Sequence, residues 1–148
     1  MITIEEFKKK QTSKTRLIGL DLGSKRIGVS ICDERQSIAT PFKTIDRINM
    51  SDLVTELKEI IKENNIKGIV IGNPINMDGT LGSSAQSVKD ISTNISKFID
   101  LPVFLWDERL STVGAFNLSS QLDVNISKKI KKIDENAAAF ILQGAIDY

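Results

Sequence analysis

Apolar positions recur along this chain in two rhythms, and the switches between them divide it into elements. Arg16 to Gly23 is a compact, mostly apolar run that predicts a strand. Gly23-Ser24-Lys25-Arg26 has the composition of a tight turn, and Ile27 to Cys32 predicts a second strand, so the two read as a hairpin. A third strand fits Ile38 to Ile45. Asp46 to Asp52 then offers polar breakers and helix caps. Leu53, Leu57, Ile60 and Ile61 fall at helical spacing until Asn64-Asn65 stops them. Ile66 to Gly72 is a short apolar run of the buried-strand type. A loop is expected from Asn73 to Gly82. Ser83 and Ser84 then supply N-caps for a helix carrying Val88, Ile91, Ile95 and Phe98 on its apolar face. Pro102 opens a strand, Val103 to Trp106. A helix is expected from Ser111 or Thr112, a lysine-rich loop over Asp123 to Ile133, and a last helix from about Asp134 to the end. Residues 1–15 read as a polar tail or short helix, and 16–148 as the folded domain.

The order is therefore three strands, helix, strand, helix, strand, helix, helix. Consecutive early strands predict an antiparallel meander. The later alternation predicts parallel strands covered by helices. The fold class is α/β, with a five-stranded mixed sheet: three antiparallel strands, then two parallel ones.

Length fits this picture of one domain. The chain has 148 residues, enough to bury roughly 70% of its unfolded surface. No run of eighteen apolar residues is present, so no membrane-spanning helix is expected. The charged N-terminus lacks the apolar stretch of a secretory signal, which gives a cytoplasmic expectation.

Composition then narrows the chemistry. The chain has no histidine and one cysteine, Cys32. Histidine-based triads, histidine general bases and His- or multi-Cys zinc sites are thereby excluded, as is an internal disulfide. Hydrolysis would have to rely on carboxylates, lysine or an oxygen-bound metal, and oxygen ligands favour Mg²⁺ or Mn²⁺. Net charge is only +1, but it is patchy. Lys8, Lys9, Lys10, Lys14 and Arg16 cluster early, and Lys128, Lys129, Lys131 and Lys132 cluster late. Either group could contact phosphates, or be a solvated tail and a solvated loop.

Three acidic positions stand out against the pattern. Asp21 sits in an apolar strand, and its same-face neighbours Gly19 and Gly23 have no side chain. A charge placed there is costly without a partner. The plain alternative is an aspartate that helps turn the chain near a strand end. Asp107 and Glu108 directly follow a strand, at the end where α/β sheets gather ligands. If the strand continues, the two acids point to opposite faces, so one of them would join Asp21. Either acid could instead cap the next helix or pair with Arg109. Asp134 projects onto the apolar side of the last helix, in line with Ala138, Ile141 and Ala145. Its plain reading is the N-cap of that helix. Two carboxylates about 4 Å apart repel by roughly 4 kcal/mol at an effective dielectric of 20. Converging acids therefore share protons or bind cations. A divalent ion resolves the repulsion, activates water and stabilises a phosphorane.

Gly19-Leu20-Asp21-Leu22-Gly23-Ser24-Lys25-Arg26-Ile27-Gly28-Val29 resembles the opening motif of the YqgF/RuvX family, the Holliday-junction-resolvase-like branch of the RNase H fold. Alone, this stretch also resembles the first phosphate loop of actin-like ATPases, but those need two related domains and this chain is too short for both. Ile71-Gly72-Asn73-Pro74 through Asn76-Met77-Asp78-Gly79-Thr80 is similar to the family's second motif. Asp107-Glu108-Arg109-Leu110-Ser111-Thr112 is similar to its third. Asp134 through Ala137-Ala138 and Ile141-Leu142-Gln143 resembles its C-terminal helix. The four motifs occur in order over about residues 16–148.

The resemblance implies an RNase H-like fold and a nuclease that matures the 5′ end of pre-16S ribosomal RNA, with DNA-junction cleavage as the alternative. It implies Asp21, Glu108 and Asp134 as catalytic acids, with Asp107 a further candidate metal ligand. Mg²⁺ or Mn²⁺ would be the cofactor, and a ribosomal precursor a candidate partner. A non-catalytic nucleic-acid-binding module is the reading from another class. Lys25, Arg26 and Arg109 are candidate contacts to the nucleic-acid backbone. Arg109 could equally orient Glu108. The loop from Asn76 to Gly82 could hold a phosphate on backbone N–H groups, or be a turn built on Asp78-Gly79. Junction resolvases carry an acid at the end of the fourth strand. Here that strand ends in Gly72-Asn73-Pro74, so their geometry is not assumed. No membrane contact is expected, and either a monomer or a homodimer fits.

Overall fold

The computed structural model describes residues 1–10, 15–46, 49–74, 78–79, 82–107 and 126–148, with the side chains of 4, 10, 83 and 126–135 left aside. The elements are α1 (Ile4–Lys10), β1 (Arg16–Leu22), β2 (Arg26–Cys32), β3 (Ala39–Asp46), α2 (Met50–Glu63), β4 (Ile66–Asn73), α3 (Ser83–Phe98), β5 (Val103–Asp107) and α4 (Ile126–Asp147). One five-stranded sheet runs in the order β3-β2-β1-β4-β5. The first three strands are antiparallel neighbours, and β4 and β5 join parallel to β1. This is the RNase H-like arrangement the sequence predicts.

Alternation along the strands makes two cores. Ile18, Leu20, Ile69, Ile71 and Val103 face one side, where they meet Leu53, Leu57 and Ile60 of α2 and Val88 and Ile95 of α3. Leu17, Val70 and Trp106 face the other, where they meet Ile141, Leu142 and Ala145 of α4 and Phe7 of α1. The central strands β1 and β4 are therefore apolar at successive positions, because both of their faces are covered.

Local signals end the helices where the composition suggests. Asn49 caps α2 by accepting from the Asp52 N–H at 2.9 Å, a bond worth about 1 kcal/mol. Asn64 and then Asn65, at φ 53°, turn the chain into β4.

Three expectations need correction. The last helix begins at Ile126, not near Asp134, so the lysine-rich stretch up to Ile133 is helix rather than loop. Ile126, Ile130 and Ile133 keep helical spacing through the lysines, and lysine is itself a good helix former. Ser83 and Ser84 lie inside α3, whose N-cap is Gly82. Phe98 is 56% exposed while Ile99 is buried in its place, because the helix ends there and the extended Ile99 turns inward. At the N-terminus the chain takes the short-helix alternative, as α1. Phe7 is buried with its ring 6.0 Å from Phe104, and the Ile2 N–H donates to the Val103 carbonyl at 3.2 Å along the edge of β5. The helix expected from Ser111 or Thr112 lies outside the described residues.

Candidate active site

Asp21 is the penultimate residue of β1, at the carboxyl edge of the sheet and on the α4 face. Its register partner on β2 is Gly28. On the other flank the last paired residues are Leu20 and Ile71, so the next residue of β4, Gly72, stands beside it. Gly19 and Gly23 are its same-face neighbours on β1. The carboxylate thus rises from a floor without side chains on either flanking strand, which leaves room for an ion or a phosphate.

Glycine also sets the position of α4. A Cβ on Gly19 would stand 2.5 Å from Ser30 Oγ, 2.7 Å from Leu142 Cβ and 3.0 Å from the Ala138 carbonyl oxygen. The helix therefore rests directly on the β1 backbone. Ser30, fully buried, holds it there: its hydroxyl donates to the Ala138 carbonyl at 2.7 Å, with the Gly19 carbonyl 3.3 Å away. A Cβ on Gly28 would lie 3.4 Å from Ala138 Cβ and 3.6 Å from Asp21 Cβ, so Asp21 and Ala138 flank the same bare position.

These contacts give α4 its direction. Ala138 lies at the level of Asp21, and Leu142, one turn later, at the level of Gly19. The helix runs antiparallel to β1, with its N-terminal half toward the carboxyl edge. Asp134 is one turn before Ala138, on the Asp21 side of that contact. Because α4 starts at Ile126, Asp134 is more than two turns inside it, and the N-cap reading of this aspartate falls. Its side chain lies outside the described residues.

Asp107 ends β5, in register with Asn73. Trp106 packs with Val70 and Leu142 on the α4 face, while Leu105 packs on the α2/α3 side. Alternation then sets Asp107 on the face opposite Asp21. The two backbones are two strands, about 10 Å, apart. Among the described residues no three His, Cys, Asp or Glu side chains converge. Glu108, Arg109 and Asn76 lie outside the described residues. Lys25 and Arg26 are exposed in the turn that follows Asp21 and at the start of β2, at the same edge. In the loop after β4, Gly79 has φ 89°, as the turn reading of Asp78-Gly79 requires.

One residue escaped the sequence reading except as a missing acid. Asn73 ends the central strand β4, and its Oδ1 is buried with no hydrogen-bond partner among the described residues. A buried acceptor costs about 1–3 kcal/mol when unsatisfied. At the ligand-gathering edge of a parallel sheet it calls for a donor or a cation. Alternation sets Asn73, in register with Asp107, on the face opposite Asp21, so these oxygens border one sheet edge without forming a single cluster; oxygen donors are the type a hard divalent ion takes.

A family model described as RuvX, Holliday junction resolvase, matches residues 15–148. The chain belongs to the RuvX family. Over 148 residues it is 76% identical to a protein of Pelagibacter ubique (strain HTCC1062) named "Putative pre-16S rRNA nuclease", covering 100% of this chain and 98% of that one. It is 44% identical over 131 residues to a protein of the same name from Rhodobacter capsulatus, covering 88% and 82%. Among solved structures, Thermus thermophilus RuvC in complex with a Holliday junction substrate superposes with a TM-score of 0.57 at 10% identity, covering 89% of this chain and 93% of that one. At that identity the likeness speaks for the fold alone, and it agrees with the RNase H-like sheet. The RuvX match begins at residue 15, so α1 and the Ile2 bond along the edge of β5 lie outside the matched region.

Proposed function

We propose that this RuvX-family chain is a nuclease that hydrolyses nucleic-acid phosphodiesters with a divalent ion, Mg²⁺ or Mn²⁺, held by carboxylates. The observation that carries the reading is Asp21 on its glycine floor, beneath the helix that bears Asp134. We assign Asp21, Glu108 and Asp134 as the acids of the site. Glu108 is preferred over Asp107 because the alternation of β5 sets Asp107 on the far face from Asp21. A bound divalent ion supplies charge neutralisation and Lewis-acid polarisation of the phosphate. The chain's own residues do the rest. The bare floor at Gly28 and Gly72 lets a phosphate approach Asp21 without a steric barrier. Lys25 and Arg26 neutralise flanking phosphates, and Arg109 and Asn76 are candidates for the same role.

The substrate we assign is the 5′ end of pre-16S ribosomal RNA, acted on in the cytoplasm. The support is the name carried by relatives of up to 76% identity across the whole chain. The family description favours a second reading, a four-way DNA junction. Incubating the purified protein with a pre-16S RNA fragment and with a DNA junction, each with Mn²⁺, separates them. Cleavage of the RNA at the mature 5′ end, lost by at least about 10²-fold in Asp21→Asn, is the expected result; removing one electrostatic contributor to a reacting centre typically costs about 10²–10³. Cleavage of the junction alone would replace the substrate assignment. Undiminished cleavage by Asp21→Asn would remove the mechanism.

A further inference from the structure

The opposite end of the sheet carries a second feature that the site does not use. Where α2 and α3 end and β4 begins, a groove of about 540 Å³ opens. Its lining includes Lys58 and Lys62 of α2, Lys67 of β4, Phe98, Ile99 and Asp100. Three lysines thus face one carboxylate. Lys58 and Lys62 are exposed, and no ion pair of either is seen among the described residues. Beside them Phe98 is 56% exposed, although its spacing in α3 reads as core.

Helix ends explain part of this. Carbonyl-rich C-termini attract cations, and Lys62 stands in the last turn of α2. That account does not reach Lys58, a turn earlier, or Lys67, on a strand. It gives no reason for a bare aromatic ring among them. Cations along a groove with an exposed ring are what a single nucleic-acid strand needs: lysines for phosphates and a π face for a base.

We propose that this groove is a second contact for single-stranded nucleic acid, holding substrate that extends beyond the cleaved bond. The proposal rests on the nuclease reading for its ligand class. Ile66 at the groove and Asn73 at the site edge lie at opposite ends of the eight-residue β4, about 23 Å apart. Single-strand-binding folds occupy about 4–16 nucleotides, so a strand toward the upper end of that range spans both.

The test uses the full chain without metal and a labelled 16-nucleotide single-stranded RNA, followed by fluorescence anisotropy across a salt series. For K58Q/K62Q the affinity is expected to fall, and the slope of log K against log salt to flatten by about 1.4, two contacts at about 0.7 each. Phe98→Leu weakens binding roughly 5-fold or more with the slope unchanged, since it removes stacking and not charge. The control R35Q/K89Q removes two exposed cations elsewhere and leaves the affinity within about 2-fold. With Mn²⁺ restored, K58Q/K62Q raises KM for a substrate with long single-stranded flanks and leaves kcat alone, and a substrate with minimal flanks is cleaved as by the unaltered protein.

An unchanged affinity and slope in K58Q/K62Q overturns the proposal. So does an equal loss in the R35Q/K89Q control, which would mean diffuse attraction. So does an acidic peptide that binds the groove while RNA binding ignores its variants. Failure of the nuclease reading looks different: no cleavage by the unaltered protein, with the anisotropy results intact.

Discussion

The two turns that bracket β2 are built differently. At the far end from the site, the chain passes from β2 to β3 through a loop organised by Asp33. Its carboxylate accepts from the Ser37 N–H and hydroxyl, both at 2.7 Å, and from the Ile38 N–H at 2.9 Å. Gln36, at φ 54°, donates from its side chain to the Thr15 carbonyl and hydroxyl at 3.2 Å. Each of these side chains serves the backbone around it. At the other end, Gly23-Ser24-Lys25 turns the chain beside Asp21. There the close approach is between backbones: a Cβ on Gly23 would stand 2.6 Å from the Arg26 carbonyl oxygen. The side chains are turned outward, Lys25 and Arg26 are exposed, and nearby Asn73 keeps a buried oxygen unpaired among the described residues. One end spends its polar groups on the fold. The other presents the cations Lys25 and Arg26 to solvent, as an edge that contacts phosphates would.

The largest effect on this contrast is expected where the glycine floor meets α4. Gly19→Ala forces a methyl into Ser30, Leu142 and the Ala138 carbonyl, and overpacking of this kind costs about 2–3 kcal/mol. Thermal unfolding should drop by roughly 4–12 °C for a chain of this size. Cleavage should fall with it, because the helix bearing Asp134 must lift away from Asp21. A melting temperature within about 1 °C of the original would show that α4 does not rest on β1 as described.

A smaller effect separates the two orphaned oxygens. Ser92 Oγ is buried inside α3 without a partner among the described residues, and Asn73 Oδ1 is buried at the sheet edge. Ser92→Ala should leave cleavage unchanged and raise stability by up to about 1 kcal/mol, since it removes an unsatisfied hydroxyl. Asn73→Leu should also keep or raise the melting temperature but lower cleavage roughly 10-fold, about 1.4 kcal/mol in barrier. If both variants behave alike in activity, Asn73 is a structural residue and the contrast loses one of its supports.

The smallest effect belongs to the Asp33 loop. The Ile38 N–H, then the Ser37 hydroxyl and N–H, hold the Asp33 carboxyl at about 2, below its ordinary 3.8. A depressed acid contributes stability above its unfolded value and loses it as pH falls through the folded one. The gap in melting temperature between the unaltered protein and Asp33→Ala should therefore be constant from pH 7 to about 5, and close between about pH 4 and 2. A gap that persists at pH 2 would mean that the loop does not depend on the carboxylate.

What the sequence made legible follows from how each feature is encoded. β1, β2, β4 and β5 announce themselves as apolar runs between glycines, prolines and asparagines, and the meander-then-alternation order suffices for the mixed sheet. The start of α4 was hidden because lysines dominate 128–132, although Ile126, Ile130 and Ile133 keep the helical period. Phe98 has core spacing, yet the helix ends at it and Ile99 takes the buried place. Asp21 could be picked out in one dimension, because a charge in an apolar strand between glycines is anomalous. Asn73 could not, since an unsatisfied acceptor is a property of surroundings. Of the acid pair, the alternation that sets Asp107 opposite Asp21 needed the packing of Trp106 and Leu105 to fix the face.

The central claim is that Asp21 anchors a divalent ion at the carboxyl edge of the sheet. Calorimetric titration of Mn²⁺ into the unaltered protein and into Asp21→Asn, with thermal unfolding of both, tests it without relying on cleavage. The account predicts saturable binding by the unaltered protein, weakened at least about 10-fold in Asp21→Asn, a loss of about 1.4 kcal/mol, with the metal-free variant still unfolding in one cooperative thermal transition. Equal Mn²⁺ affinity in the two proteins, or no saturable binding in either, would contradict it.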